Sequence, residues 1–124
     1  MGQGLQDVKI TYRLIAAGSV VEERIAAGTP MEMLTMYYDK AGKLSATHYC
    51  AMGNQPHMKA PGKGEDGKIA FAFTSGGNMK SDKEAHMHAV TFTFIDKDTL
   101  KTEWKHFADG KEVSTMVFDL KRKK

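Results

Sequence analysis

The sequence has one cysteine, no long apolar run and little net charge, and each of these shortages excludes a class of protein. The single cysteine, Cys50, excludes an internal disulfide. No apolar run could cross a membrane as a helix, and the opening MGQGLQDVK lacks the apolar stretch of a signal peptide. The net charge of +3 comes largely from the tail Lys121-Arg122-Lys123-Lys124, which has no interleaved aromatic residue. We therefore expect a soluble, cytoplasmic protein with no nucleic-acid or membrane partner.

What the chain does contain is alternation of apolar and polar residues with a period of two, which predicts β-strands. The first such segment starts at Val8 and continues through Tyr12 and Leu14. Turn signals separate the segments, and Asp109-Gly110 is a strong hairpin signal. Segment 76–86 is the only long irregular stretch, with room for one helical turn near Ser81.

These segments predict an all-β protein of one domain, residues 1–124, because a chain of this length has no room for a second ordinary core. Eight or nine short strands joined by tight turns make an antiparallel up-and-down meander. One apolar face per strand favours a barrel or half-open barrel, and a barrel of about eight strands can hold one small ligand.

One glycine-rich stretch, Gly62 to Lys68, fits the first part of a phosphate-binding loop. That mechanism requires a helix after the loop and a Ser or Thr beside the lysine. Here Ile69 follows and the chain enters a strand, so the pattern predicts a plain hairpin loop.

The stretch THYCAMGNQPHM holds the only cysteine and two of the five histidines. Alternation places His48 and Cys50 on one strand face with Leu44, Ala46 and Met52. A mid-strand cysteine facing an interior behaves as a small buried apolar residue, whereas a nucleophilic thiol needs a lowered pKa and access. This pattern favours the interpretation that His48 and Cys50 form part of one wall of a barrel interior and not a reactive centre.

His86 and His88 are two apart on a strand and so point to the same side, and the pattern places them on one face with Val90. This pair has three interpretations. Lining of a polar cavity is favoured, because a lone His-x-His is unspecific. One alternative is a site for zinc or another divalent metal, formed by His86 and His88 with His48, Cys50 or His106 as the third ligand. The other is simple exposure at the surface.

Three hypotheses for function follow. The first is a binding protein whose barrel cavity holds a small hydrophobic or amphipathic molecule, without a cofactor. The second is an enzyme, either metal-dependent or using His48 or His88 as general acid–base. The third is an interaction protein with a filled core. For the first, the predicted ligand-binding residues are Tyr12, Tyr37, His48, Cys50, Asn54, His86, His88 and Trp104.

With the strands placed, the chain resembles a bacterial lipocalin-like (calycin-type) β-barrel family of unknown function. The matching stretches are AGTPMEMLTMYYDKAGKLSATHYCAMGNQPHMKA and, after GGNM, AHMHAVTFTFIDKDTLKTEWKHFADGKEVSTMVFDL. Together they cover nearly the whole chain. The resemblance implies a barrel with an internal pocket, and it supplies no reaction and no ligand.

One element of the family pattern is missing. Members of such families usually start with a Gly-x-Trp-x-Gly strand, and MGQGLQ is too short and lacks the tryptophan. The barrel is therefore expected to stay open along one side unless another chain covers it. An uncovered edge beside an apolar interior is unfavourable, so we expect a homodimer that shields the gap.

Overall fold

The computed structural model describes residues 9–60 and 67–122 of the chain. Nine strands and no helix lie within these residues. Their bounds are β1 (Ile10–Ile15), β2 (Val20–Ile25), β3 (Met33–Lys40), β4 (Lys43–Tyr49), β5 (Gln55–Lys59), β6 (Lys68–Gly77), β7 (His86–Asp96), β8 (Thr99–Ala108) and β9 (Lys111–Lys121).

Every strand pairs antiparallel with its neighbour in sequence, so the sheet order is β1 to β9 without a crossover. Short turns make this possible. Between β8 and β9, Asp109 (φ 55°) and Gly110 (φ 76°) both take the left-handed conformation that a two-residue hairpin requires. The predicted all-β up-and-down meander is confirmed.

The sheet is strongly curled, as shown by aromatic rings from strands far apart in the sheet that contact each other across its inner face. Tyr37 on β3 lies with its ring centroid 5.3 Å from that of Phe92 on β7. His48 on β4 lies 4.5 Å from Trp104 on β8, measured the same way. The result is a half-barrel whose inner face carries the core.

The inner face can be followed from strand to strand through the residue pairing. Tyr37 faces Ala46, and Ala46 in turn faces Met58. The core on this face consists of buried apolar side chains: Ile25, Met33, Tyr37, Ala46, Met58, Ala60, Phe71, Met87, Val90, Phe92 and Trp104.

The half-barrel is open between its first and last strands. Strands β1 and β9 end the hydrogen-bonded order of the sheet formed by the described residues. Both edges expose apolar side chains, including Leu14 on β1 (69% exposed) and Val113 on β9 (55% exposed). The expected opening along one side is therefore present.

Some predicted local features differ from the structure or lie outside its description. Val8 and most of the glycine-rich loop, residues 61–66, fall outside the described residues, whereas Ile69 lies in β6 as expected. The helical turn near Ser81 is absent, and a hydrogen-bonded turn from Ser81 to Glu84 takes its place. Strand β4 ends at Tyr49, so Met52 does not extend its face.

The regular alternation that places His86 and His88 on one face with Val90 is interrupted by an irregularity in the pairing of β7 with β8. Met87 faces His106 and Val90 faces Trp104, so Met87 and Val90 lie on the same side of β7. The irregularity lies between Met87 and Ala89 and shifts the register there. Both histidines contact Phe73 on β6, which faces the core residue Met58.

Candidate functional site

The sequence-predicted ligand-binding residues fall into separate regions of the half-barrel. The core holds Tyr37, His48 and Trp104, each at most 8% exposed. Asn54, His86 and His88 are grouped near the start of β7, where the Asn54 side-chain amide donates to the Ala85 carbonyl at 2.9 Å. The two others, Tyr12 and Cys50, lie on β1 and directly after β4.

A buried carboxylate lies between two of the predicted tyrosines. Glu23 on β2 is fully buried, and it faces Tyr12 on β1 and Thr35 on β3. The Tyr12 hydroxyl donates to its Oε2 at 2.6 Å, and the Tyr37 hydroxyl donates to its Oε1 at 2.9 Å. Burial raises the pKa of Glu23, and hydrogen bonds from Tyr12, Thr35 and Tyr37 offset part of that rise.

Sequence reasoning missed Glu23, although the pattern contained a signal for it. In VVEERI the alternation puts Glu23 on one face with Val21 and Ile25, an apolar stripe interrupted by an acid. A charge on an apolar face is rarely buried unless it is paired or hydrogen-bonded. The partners come from neighbouring strands, so only the registers of β1 to β3 reveal them.

His48 extends the hydrogen-bond network of Glu23 into the core through Thr35. Its Nδ1 lies 2.8 Å from the Thr35 hydroxyl, and its ring packs on Trp104. Among the described residues its buried Nε2 has no hydrogen-bond partner, and the same is true of the Thr102 hydroxyl. Burial lowers the pKa of His48 to about 4, so the ring is neutral at physiological pH.

A second chain of hydrogen bonds runs from Glu84 through His86 to His88. His86 Nδ1 lies 2.6 Å from the Glu84 carbonyl, which can only accept, so this nitrogen carries the proton. The Nε2 of His86 lies 3.0 Å from His88 Nδ1. In the tautomer in which His86 Nε2 accepts, His88 donates from Nδ1, and the Nε2 of a neutral His88 ring can then accept a proton.

Aromatic rings hold this histidine pair in place. His88 stacks on Phe107 at 3.9 Å between ring centroids and on Phe73 at 5.2 Å. His86 lies 4.3 Å from Phe73 and is 1% exposed. Burial, and to a lesser degree the neighbouring His86, lower the pKa of His88. The lowered pKa of His88 favours its neutral form, and the stacked rings orient it.

The alternative metal set is not brought together. His86 and His88 bond to each other, whereas His48 bonds to Thr35 in the core. In residues 9–60 and 67–122 there is no group of three or more His, Cys, Asp or Glu side chains arranged to hold a metal ion. A zinc site formed by the three histidines has no support in this arrangement.

Cys50 lies at the turn that follows β4 and packs against the core. Its thiol contacts the Met33 sulfur at 3.9 Å, and its backbone N–H donates to the Asn54 carbonyl. Burial raises the pKa of the thiol, although backbone hydrogen bonds from residues 51 and 52 act in the opposite direction. A raised pKa disfavours the thiolate, so the position suits a packing role.

The open side of the half-barrel forms a groove of about 930 Å³ between the start of β1, the β7–β8 turn and the end of β9. Of the predicted ligand-binding residues, Tyr12 is the one that lines it. The other lining residues are Lys9, Ile10, Thr11, Phe94, Asp96, Lys97, Asp98, Thr99, Leu100, Leu120, Lys121 and Arg122.

The fold and this groove define the class of the protein as an antiparallel β half-barrel with a cleft along its open side. Comparison with protein-family models, curated proteins and solved structures finds no match to the chain. Among the described residues there is no helix of the length and apolarity needed to cross a membrane.

Proposed function

We propose that the protein binds a small amphipathic molecule, largely apolar with a polar end, in the groove beside β1. The observation that carries this proposal is the combination of apolar and charged side chains around a space of about 930 Å³. Small-molecule sites in proteins usually measure about 300–1,000 Å³ and combine apolar walls with a few polar groups.

The apolar part of the groove would contact the body of the ligand. Ile10, Leu100 and Leu120 are half-buried and line it, and Phe94 is 49% exposed although it lies on the strand face of the buried Phe92. An exposed ring beside an open core is an unfavourable contact with water. Covering it with an apolar ligand would remove that cost.

The charged part of the groove would orient the polar end. Among the described residues that line the groove, four side chains are cationic (Lys9, Lys97, Lys121 and Arg122) and two are carboxylates (Asp96 and Asp98), so cations are in excess there. The Arg122 guanidinium bonds to Asp98 at 3.3 Å and to the Lys97 carbonyl at 2.9 Å, which fixes its position. A ligand with an anionic end fits this rim better than a cationic one.

The experiment is a titration with 1-anilinonaphthalene-8-sulfonate, an aromatic anion, followed by displacement with dodecanoate and with dodecyltrimethylammonium. We expect dodecanoate to displace the dye and the cation to displace it poorly. Phe94→Glu should weaken dye binding at least tenfold, because it places a carboxylate against an anionic apolar probe.

Ile95→Glu is the matched control. Ile95 is adjacent and 57% exposed, but it does not line the groove. Equal losses in Phe94→Glu and Ile95→Glu would refute binding at this site, and so would the absence of displacement by either amphiphile.

A second candidate is an enzyme that uses His88 as a general base, and one observation favours it. The chain from the Glu84 carbonyl through His86 leaves the Nε2 lone pair of His88 available, whereas His48 is 1% exposed. Turnover of p-nitrophenyl esters would be compared between the wild type, His88→Asn and the control His57→Asn. Activity that survives His88→Asn would eliminate this candidate.

A further inference from the structure

The free edge of β9 carries apolar side chains on both of its faces. Val113 and Val117 are 55% and 47% exposed, and Met116 is 38% exposed. Met116 faces Trp104 and so lies on the inner side, whereas Val117 faces Glu103 on the outer side. Within the described residues, neither face of this edge strand is covered along its central part.

The sequence of this edge does not protect it against pairing with another strand. Residues 113–118 read VSTMVF, a six-residue segment with four residues of high β-propensity and without a charge, a proline or a glycine. Natural edge strands are usually blunted by charged side chains, prolines or a short length. The other edge, β1, has only six residues and carries Arg13, which bonds to Glu22.

We propose that β9 pairs antiparallel with β9 of a second copy, so that the two half-barrels form one continuous sheet in a homodimer. The occupant is a second copy because the edge is self-complementary. An antiparallel pair of identical strands has a two-fold axis that places one residue opposite its own copy, and each other pair then occurs twice.

The register with Val117 opposite the partner's Val117 fits the side chains best. On the inner side, Met116 then faces the partner's Phe118, an apolar contact between sulfur and ring. At the ends, Lys121 lies opposite the partner's Val113 and beside the partner's Glu112, so cation and carboxylate are complementary.

Neighbouring registers are less favourable. An axis at Met116 would place Val113 opposite the partner's Asp119, and an axis at Phe118 would place Val117 opposite that same carboxylate. The pairing with β8 is also irregular near Val113, because His106 faces Ser114 while Phe107 faces Glu112. An axis at Val117 lies midway between residues 113 and 121 and keeps the irregularity at the ends of the paired segment.

Light scattering after size-exclusion chromatography tests the dimer. At about 50 µM we expect twice the mass of one chain, and Val117→Glu should weaken the dimer at least tenfold, because two like charges then face each other. Leu14→Glu is the matched control on the other edge and should leave the dimer intact. A monomeric wild type would overturn the proposal, and so would loss of the dimer in Leu14→Glu but not in Val117→Glu.

Disulfide cross-linking tests the register. In a Cys50→Ser background, Val117→Cys should form a covalent dimer on mild oxidation, because facing residues of an antiparallel pair come within disulfide distance. Thr115→Cys faces Asp119 of the partner subunit in this register and should cross-link poorly. Efficient cross-linking of Thr115→Cys without Val117→Cys would overturn the register.

The dimer proposal and the ligand proposal are tested by different variants, so that one can be refuted while the other stands. Phe94→Glu is designed to abolish dye binding, and Phe94 lies on β7 rather than on β9. The groove and the proposed interface meet at the end of β9, because Leu120 and Lys121 line the groove and also lie in the paired segment. Phe94→Glu should still be a dimer, and Val117→Glu should be measured for dye binding in the same titration. A dimer lost in Phe94→Glu would contradict the β9 interface.

Discussion

His48 on β4 and Trp104 on β8 have ring centroids 4.5 Å apart, although three strands separate β4 from β8 in the sheet. The contact therefore joins the two walls of the half-barrel directly. Both side chains are at most 2% exposed. Curvature of the sheet and burial of the core thus depend on the same pair of rings.

Trp104→Ala should lower the free energy of unfolding by about 3–5 kcal/mol, because it removes a fully buried ring and leaves a cavity between the walls. Urea denaturation followed by far-UV circular dichroism measures the change. Leu14→Ala, at a position 69% exposed, is the control and should change stability by less than about 0.5 kcal/mol. Similar losses of unfolding free energy in the two variants would contradict the contribution of the Trp104 ring to the core. Trp104→Phe provides a milder variant if the alanine variant does not fold.

Glu23→Gln should flatten the pH dependence of stability on the alkaline side of pH 4.5. The pKa of Glu23 in the folded state lies above its ordinary value of 4.5, so its contribution is complete below pH 4.5 and is lost as the pH rises through the folded pKa. Glutamine does not titrate and removes this loss. Denaturation midpoints at several pH values measure it, and an unchanged slope in Glu23→Gln would contradict the raised pKa.

His48→Gln should have the opposite effect in an overlapping range. The pKa of His48 falls from 6.5 to about 4 on folding, so its contribution is complete above pH 6.5 and is lost as the pH falls through about 4. Over that pH range protonation of His48 should lower the unfolding free energy of the wild type by up to about 3 kcal/mol, and His48→Gln should lose less stability. NMR titration of the ring gives the pKa directly, and a value near 6.5 would refute the burial argument.

Cys50 should react slowly with thiol reagents in the native protein. Burial raises the pKa of its thiol, so the thiolate fraction at neutral pH is small. We expect reaction with 5,5′-dithiobis(2-nitrobenzoate) to be at least tenfold slower in the native than in the urea-unfolded protein. A native rate equal to the unfolded rate would show an accessible thiol and would reopen its interpretation as a nucleophile.

Much of the fold follows from alternation alone, because each strand has one buried face and turn residues mark its ends. Met116, Phe118 and Leu120 on β9 follow the period-two alternation, and their pairing with Trp104, Thr102 and Leu100 of β8 places them on one face. The register around His86 and His88 was not predictable, since an irregularity in pairing leaves no trace in the spacing of apolar residues.

The candidate sites were harder to predict than the fold. The groove is lined both by Ile10, at the start of the first strand, and by Leu120, near the end of the last, and this arrangement depends on the curl of the whole sheet. The bonds from two tyrosines to Glu23 depend on three strand registers at once. Pair distances of this kind are set by tertiary geometry, so single-strand patterns do not contain them.

The meander also determines how the chain can reach its native state. Each strand pairs only with its neighbours in sequence, so every ladder closes a short loop and the sheet can assemble hairpin by hairpin. The contact between His48 and Trp104 closes a much longer loop, and its entropic cost must be met before the two walls stabilise each other. We therefore expect flat hairpins to form early and the curl to form late, so that mutations at Trp104 mainly accelerate unfolding and leave the folding rate nearly unchanged.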